Sequence, residues 1–251
     1  MRHAFTNTLQ NLRSGYLLLA IPLFLGSCQG LLGKRVHGDG NIKTEDRPVS
    51  DFKNVEVGGA AKVLVTQGDH AAVKIEGDEN LLKYMEVNQV GDKIVVRERP
   101  GFNLVPTHDL IVYVTAPVFN SIEASGACDI IGQNKISNPE AMEMGVSGAG
   151  DIKMEVDAPK LTARVSGSGS VYLKGTTKDV ALELTGAGHA HCYELMAENT
   201  KVDISGAGSA EVYASVRLQA DVSGAGDVKY KGNATDVKQD VSGAGSVHKV
   251  D

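Results

Sequence analysis

The chain has 251 residues, with 25 Lys or Arg against 31 Asp or Glu, so its formal net charge at pH 7 is −6. Nucleic-acid binding needs clustered basic side chains that neutralise phosphates, and the acidic balance therefore excludes nucleic acid as a partner. Hydrophobic residues make up 42% of the chain and charged residues 22%, which is typical of a folded protein and excludes a disordered one.

The N-terminus has the pattern of a secretory signal, in which Arg2 and Arg13 precede an apolar run at 16–25 that is too short to span a bilayer. The residues Leu-Gly-Ser-Cys that end at Cys28 resemble the bacterial lipobox, where cleavage before the cysteine prepares it for acylation. This resemblance predicts a lipoprotein signal peptide over 1–27, lipidation of Cys28, and anchoring in the bacterial cell envelope, at the outer membrane. An ordinary signal peptide with a chance cysteine is the alternative.

Residues 28–50 are polar and contain glycine, and they predict a tether between the anchor and a folded domain. Residues 51–117 hold five short strand-like segments, and one or two helical turns are predicted from Asp78. We interpret residues 51–117 as wider, irregular first coils of the fold that follows. An independent small β-domain is the alternative for this region.

A tetrapeptide of small residues recurs seven times in the second half of the chain. The copies begin at Ser125, Ser147, Ser166, Thr185, Ser205, Ser223 and Ser242, with spacings of 22, 19, 19, 20, 18 and 19 residues. Apolar and polar residues alternate before and after each copy, which predicts two short strands per repeat, and no helical period fits between copies. The pattern predicts an all-β protein, a right-handed parallel β-helix or β-solenoid over 51–251, with coils of about 18–22 residues that become regular at 118–251. Each tetrapeptide is interpreted as a corner that needs the conformational freedom of glycine.

The chain also resembles a known family, the putative auto-transporter adhesins with a head GIN domain, which are common among lipoproteins of Bacteroidetes. The matching segments are 52–57, 62–67, 73–82, 110–117, 122–127 and the later Ser-Gly-Ala-Gly copies. The resemblance covers nearly the whole mature chain. It implies a right-handed parallel β-helix with no defined biochemical role and no catalytic residues to carry over, since a fold does not determine a function.

The motifs of common catalytic and metal sites are absent from the sequence, which contains no CxxC, no HExxH and no phosphate-binding loop. We therefore predict no cofactor and no catalytic residue. Cys128 and Cys192 align three coils apart, too far for a disulfide, so we predict two free thiols, with Cys192 facing the core.

Two outward columns of side chains offer candidate sites. On the strand after the corner the repeat aligns Lys153, Tyr172, His191, Glu211, Lys229 and His248. Tyr172 of this column is predicted to form, with Tyr193 and Tyr213 of the column beside it, a surface that stacks on a glycan, with an aromatic ladder that only supports the sheet as the alternative. On the strand before the corner, Glu183, Asp203, Asp221 and Asp240 align and predict a weak Ca²⁺ site, with a hydrated polar face as the alternative.

These observations predict a non-catalytic, membrane-anchored envelope lipoprotein whose β-helical surface serves adhesion or the binding of a protein or polysaccharide partner. The alternative is a β-helix lyase or hydrolase that acts on polysaccharide, and its site is expected near the insertion at 98–108. The strand edge of the final coil also predicts association between copies of the chain, end to end or side by side.

Overall fold

The computed structural model describes residues 33–251, which form a β-solenoid of about seven turns built from parallel stacked strands. The strands are β1 Lys34–His37, β2 Ile42–Arg47, β3 Asn54–Gly59, β4 Lys62–Gln67, β5 Ala72–Asp78, β6 Met85–Val90, β7 Lys93–Glu98, β8 Phe102–Val105, β9 Ile111–Ala116, β10 Ser121–Gly126, β11 Asp129–Gly132, β12 Ile136–Ser137, β13 Ala141–Gly148, β14 Asp151–Gly167, β15 Ser170–Gly186, β16 His189–His191, β17 Leu195–Gly206, β18 Ser209–Tyr213, β19 Arg217–Gly224, β20 Asp227–Lys231, β21 Asp236–Gly243 and β22 Ser246–Lys249. The one helix in this range is α1, Glu79–Leu82. The cysteine at 28 and the predicted signal peptide lie outside the described residues.

The regular coils, residues 118–251, stack with the register that the repeat predicts. The first residues of all seven tetrapeptides lie opposite one another in parallel pairs, from Ser125 to Ser242. Inward positions such as Leu161, Val165 and Leu182 are buried, and the residues between them face outward. In two coils the two predicted strands run on as the single long strands β14 and β15, because the bend between them remains paired with its neighbours. The predicted solenoid is confirmed.

Six of the seven corners have glycine at two positions, for two different reasons, and the first corner has Cys128 at the last position. The first glycine of the tetrapeptide has a positive φ, as at Gly167 with +123°. A Cβ there would also overlap the carbonyl oxygen of Gly148 in the preceding coil. The last glycine has ordinary backbone angles, but a Cβ on Gly208 would lie 2.6 Å from the Gly188 carbonyl oxygen. Backbone conformation and close stacking therefore both exclude larger residues.

The cap region, residues 33–117, joins the regular coils through parallel strands but does not stack in chain order. Strand β3 lies between β7 and β10, and β4 lies between β9 and β11. Strands β3 and β4 thus form one coil, and the later strands β7 and β9 form the terminal coil on its outer side. Strand β10 then pairs with β3 on the opposite side and begins the regular coils. Antiparallel strands cover this end, with β5 beside β9 and β6 beside β7.

The predicted tether needs a correction in its second half. Strand β2 pairs antiparallel with β5, and β1 pairs parallel with β8, so residues 34–47 belong to the fold. The segment is polar because β2 lies at an edge of the sheet and is held through its backbone, with most of its side chains exposed. Such a strand has the composition of a linker, which explains the wrong prediction.

Asp78 fastens three parts of the cap region together. It precedes α1, as predicted, but its side chain makes no cap hydrogen bond to the helix. The buried carboxylate instead accepts hydrogen bonds from the backbone N–H of Gly40 at 2.7 Å and of Thr107 at 2.9 Å, and from the Thr107 hydroxyl. Burial raises the pKa of Asp78, but the hydrogen bonds from Thr107 and Gly40 outweigh burial and leave the pKa lowered.

Candidate binding groove

The outward column after the corner has the predicted order. Adjacent pairs in the parallel register are Lys153 with Tyr172, Tyr172 with His191, His191 with Glu211, Glu211 with Lys229, and Lys229 with His248. Each side chain of this column therefore touches or approaches the equivalent side chain of the next coil. The period of the sequence alone brings these residues together.

Contacts along this column cover both faces of the Tyr172 ring. Lys153 Nζ lies 4.8 Å from the ring centroid on the side of the preceding coil. His191 of the following coil stacks on the ring with centroids 4.7 Å apart and planes inclined by 15°. His191 Nδ1 is in turn 2.8 Å from Glu211 Oε2. Tyr172 thus supports the sheet with its faces and presents its edge and hydroxyl to the surface.

A groove of about 560 Å³ crosses the coils beside this column. The loop at 132–135 walls one end, and the turn at Tyr193 and Glu194 walls the other. Strands β14 and β15 form the floor, and Glu211 lies at the far side. The groove spans five successive strands, which at the strand spacing corresponds to a length of about 19 Å.

Two of the three predicted tyrosines line this groove. Tyr172 and Tyr193 do, whereas Tyr213, at the end of β18, does not. The ring of Tyr193 has Lys231 Nζ 5.2 Å from its centroid, and Lys231 is not a groove residue. Burial and the neighbouring Glu211 carboxylate raise the pKa of Tyr193. The groove therefore includes two of the three tyrosines, and the glycan-stacking surface stays a prediction.

Charged groups in and around the groove are largely paired with one another. Lys174 Nζ lies 3.3 Å from a Glu155 oxygen. Lys135 Nζ lies 2.7 Å from Asp157, and this hydrogen bond lowers the pKa of the Asp157 carboxyl. The lining includes three lysines and three glutamates, so it carries no excess of either sign.

The loop at 132–135 is the part of the groove that sequence reasoning missed. Asn134 fixes it to the coil below, because its side chain accepts from the Gln67 N–H and donates to the Gln67 carbonyl, both at 2.9 Å. The Gln67 side chain then bonds to the backbone of Ser137. A signal for this loop exists in the sequence, since the first repeat spacing is 22 residues where the others are 18 to 20. The longest repeat forms the projecting wall.

The acidic column before the corner also has the predicted register, with Glu183, Asp203, Asp221 and Asp240 in successive coils. Three of the four carboxylates have local partners. Arg164 reaches Glu183 at 3.1 Å, Lys201 reaches Asp203 at 2.7 Å, and Gln219 donates to Asp221 at 2.8 Å. Within residues 33–251 no group of three or more His, Cys, Asp or Glu side chains is arranged to hold a metal ion. The calcium site stays a prediction.

The two thiols of the described chain are free and buried, as predicted. Burial raises the pKa of Cys192 to about 12 and also raises that of Cys128. The insertion at 98–108 is where the alternative function, a lyase or hydrolase, is expected to have its site. It contains β8, which pairs with β1. Phe102 of this strand packs on Tyr84 with ring centroids 4.5 Å apart. The insertion thus serves the cap region.

The fold and the groove define a β-solenoid protein with a groove on its surface. The family model "Putative auto-transporter adhesin, head GIN domain" matches residues 51–234, and the chain belongs to this family. Among curated proteins none matches the chain. No helix within the described residues is both long enough and apolar enough to cross a membrane.

Solved structures of three proteins from Bacteroidetes have the same fold. A "putative adhesin" from Bacteroides fragilis is 22% identical with a TM-score of 0.82, and the match covers 86% of this chain and 100% of that one. A "putative lipid binding protein" from Parabacteroides distasonis is 21% identical with a TM-score of 0.71, covering 87% and 100%. A "putative adhesin" from Parabacteroides merdae is 23% identical with a TM-score of 0.69, also covering 87% and 100%. At these identities the likeness concerns the fold.

Proposed function

We propose that this chain is a non-catalytic envelope lipoprotein, anchored at the outer membrane through Cys28, whose solenoid binds a protein or polysaccharide partner in adhesion. The observation that carries the proposal is the walled groove on a stack of parallel paired strands, which positions the side chains that line it. The adhesin description of the family agrees with it.

Binding without catalysis is tested with the full lipidated chain, purified in detergent and immobilised. We expect saturable binding of an envelope polysaccharide or protein fraction, no release of reducing or unsaturated ends, and no binding to a heat-denatured control. Release of such ends at enzymatic rates would identify a lyase or hydrolase instead. Absence of binding to every fraction would contradict the proposal.

The anchor is tested by metabolic labelling with palmitate. Cys28→Ala is expected to abolish the label and leave the precursor uncleaved, because the lipobox cysteine is both the cleavage boundary and the acceptor. Cys192→Ala changes a buried thiol away from the lipobox and keeps the label. Unchanged labelling of the Cys28 variant would show that the lipobox interpretation is wrong. The predicted association between copies is checked by light scattering, where a monomer at high concentration contradicts it.

A further inference from the structure

The groove runs across the strands and offers no continuous free strand edge along its floor. In the floor, β14 pairs with β15 throughout and with β11 at Ile152 and Lys153, and β15 pairs on its other side with β16 and β17 except at 173–174. An extended peptide that binds by adding a strand needs a longer run of unpaired backbone groups than the two-residue gaps at 154–155 and 173–174 provide. A ligand of the groove must therefore bind to side chains, and the groove's length of about 19 Å suits a chain-shaped molecule laid across the coils.

The balance of charge in the groove favours an uncharged ligand. Lys174 and Lys135 are each paired with a carboxylate, at 3.3 Å and 2.7 Å. The ammonium group of Lys153 lies over a tyrosine ring. A polyanion would meet the glutamates as well as the lysines, and it would have to break these pairs. Hydroxyl groups, in contrast, can accept from ammonium groups and donate to carboxylates without disturbing them.

The aromatic rings of the groove have different roles. Tyr172 has both faces covered, by Lys153 and His191, so it contributes its edge and hydroxyl. Tyr193 lines the groove, and Lys231 Nζ, which does not line it, lies 5.2 Å from the centroid of the Tyr193 ring. An aromatic face beside hydrogen-bonding side chains is suited to the apolar face of a sugar ring.

We infer that the groove between residues 132–135 and the turn at Tyr193 binds an uncharged saccharide chain, with Tyr193 as its stacking platform. The inference rests on the proposed binding function and names the site and the ligand class. Gln133 and Glu194, which border the groove at its two ends, supply hydrogen-bonding groups to the saccharide.

The test uses the full chain in a polyoxyethylene detergent, which carries no sugar, and isothermal titration calorimetry. The probes are linear oligosaccharides of glucose, mannose and N-acetylglucosamine from two to eight units, with galacturonate oligomers of equal length as the anionic comparison. We expect at least one neutral series to bind, with an affinity that rises with length and stops rising once the saccharide spans the groove. The galacturonate series is expected to bind more weakly.

Variants locate the site. Tyr193→Ala is expected to weaken binding by about tenfold, and Tyr193→Phe, which keeps the ring, to stay within about twofold of the wild type. Tyr213→Ala is the matched control outside the groove and is expected to leave the affinity within about twofold. Circular dichroism spectra show whether each variant is folded.

The outcomes separate this inference from the proposed function. If no neutral saccharide binds, if galacturonates bind more tightly, or if Tyr193→Ala and Tyr213→Ala have equal effects, the inference is wrong. The proposed function stands in those cases if the immobilised chain still binds an envelope fraction. If the chain binds neither saccharide nor envelope fraction, both are wrong.

Discussion

The cap region and the regular coils hold their strands together by different means. In the regular coils, the same corner recurs in every turn. Backbone pairing between neighbouring coils and a continuous apolar interior hold these coils together. In the cap region the apolar interior continues, and strands of mixed direction are joined in addition by particular side chains, of which buried Asp78 is the clearest case. Repetition is sufficient to extend the solenoid, whereas at the cap the terminal coil is covered by strands that do not repeat, and individual polar contacts hold these strands in place.

The groove lies in the regular coils, and one of its walls contacts the cap region. Its projecting wall is the loop at 132–135 in the longest repeat, and Asn134 fixes that loop to Gln67 of the cap region. Its floor is made of regular strands, whose periodic columns supply Tyr172 and His191. A deviation in one repeat thus turns a flat, periodic face into a bounded site.

The largest expected effect concerns the reactivity of the two thiols, one at the boundary of the two regions and one inside the regular coils. Cys128 Sγ lies 3.3 Å from the Val57 carbonyl oxygen of the cap region, and Cys192 is enclosed by regular coils. Because burial raises the pKa of Cys192 to about 12, its alkylation at pH 8 is expected to be slower than that of a free thiol by at least on the order of a thousandfold.

Labelling along a denaturant series then shows whether the two regions unfold together. We expect Cys128 and Cys192 to become reactive at the same denaturant concentration, because β3 and β4 continue the parallel stack across the boundary. Mass spectrometry of the labelled peptides measures both. Earlier labelling of Cys128 would show instead that the cap region opens by itself.

The second effect tests the corners of the regular coils. Gly167→Ala is expected to reduce the free energy of unfolding by about 3 kcal/mol, because it combines a positive φ with overlap of the Gly148 carbonyl. Gly145→Ala is the matched control, since a Cβ there meets only the Glu123 side chain at 3.5 Å, and it is expected to stay within about 0.5 kcal/mol of the wild type. Denaturant unfolding measures both, and equal losses would contradict the account of the corners.

The third effect tests the hydrogen bonds that Asp78 accepts in the cap region. Asp78→Asn is expected to reduce the free energy of unfolding by about 2 kcal/mol at neutral pH, because it removes the charge from three hydrogen bonds. Asp92→Asn, at an exposed position, is the control and is expected to have little effect.

The pH dependence of this effect has a definite sign. Because the folded pKa of Asp78 is lowered, the carboxylate contributes its full stability above the unfolded value of about 3.9, and this contribution is lost as the pH falls through the folded pKa. Melting curves of the wild type and Asp78→Asn should therefore differ most at neutral pH and converge in acid. A difference that grows in acid would contradict the role assigned to the carboxylate.

The smallest effect concerns the acidic column of the regular coils. The double variant Asp203→Asn, Asp221→Asn is expected to raise the melting temperature by about 1–2 °C at low salt, because adjacent like charges are removed, and by less at high salt. If the column binds calcium, as the sequence predicts, calcium raises the melting temperature of the wild type and not of the double variant. Identical responses of the two proteins to calcium would assign the column to a hydrated polar face.

Local sequence patterns were sufficient to predict the regular coils. The positions of the seven corners and the order of Lys153, Tyr172, His191 and Glu211 follow from counting residues, because parallel coils in register place equivalent residues side by side. The grouping of the three tyrosines as a glycan surface stays a prediction. Tyr193 lies in a turn and not on a strand, and Tyr213 on β18 does not line the groove.

By itself the sequence determined the all-β solenoid, the period of its coils, its glycine corners and its inward and outward faces. These depend on backbone angles and on alternation over a few residues, which are local properties. Only the tertiary structure decided the stacking order of the cap region, the inclusion of residues 34–47, the wall of the groove and the covering of Tyr172. Each of these depends on contacts between residues far apart in the chain, such as Asp78 with Thr107 or Asn134 with Gln67, which no repeat pattern encodes.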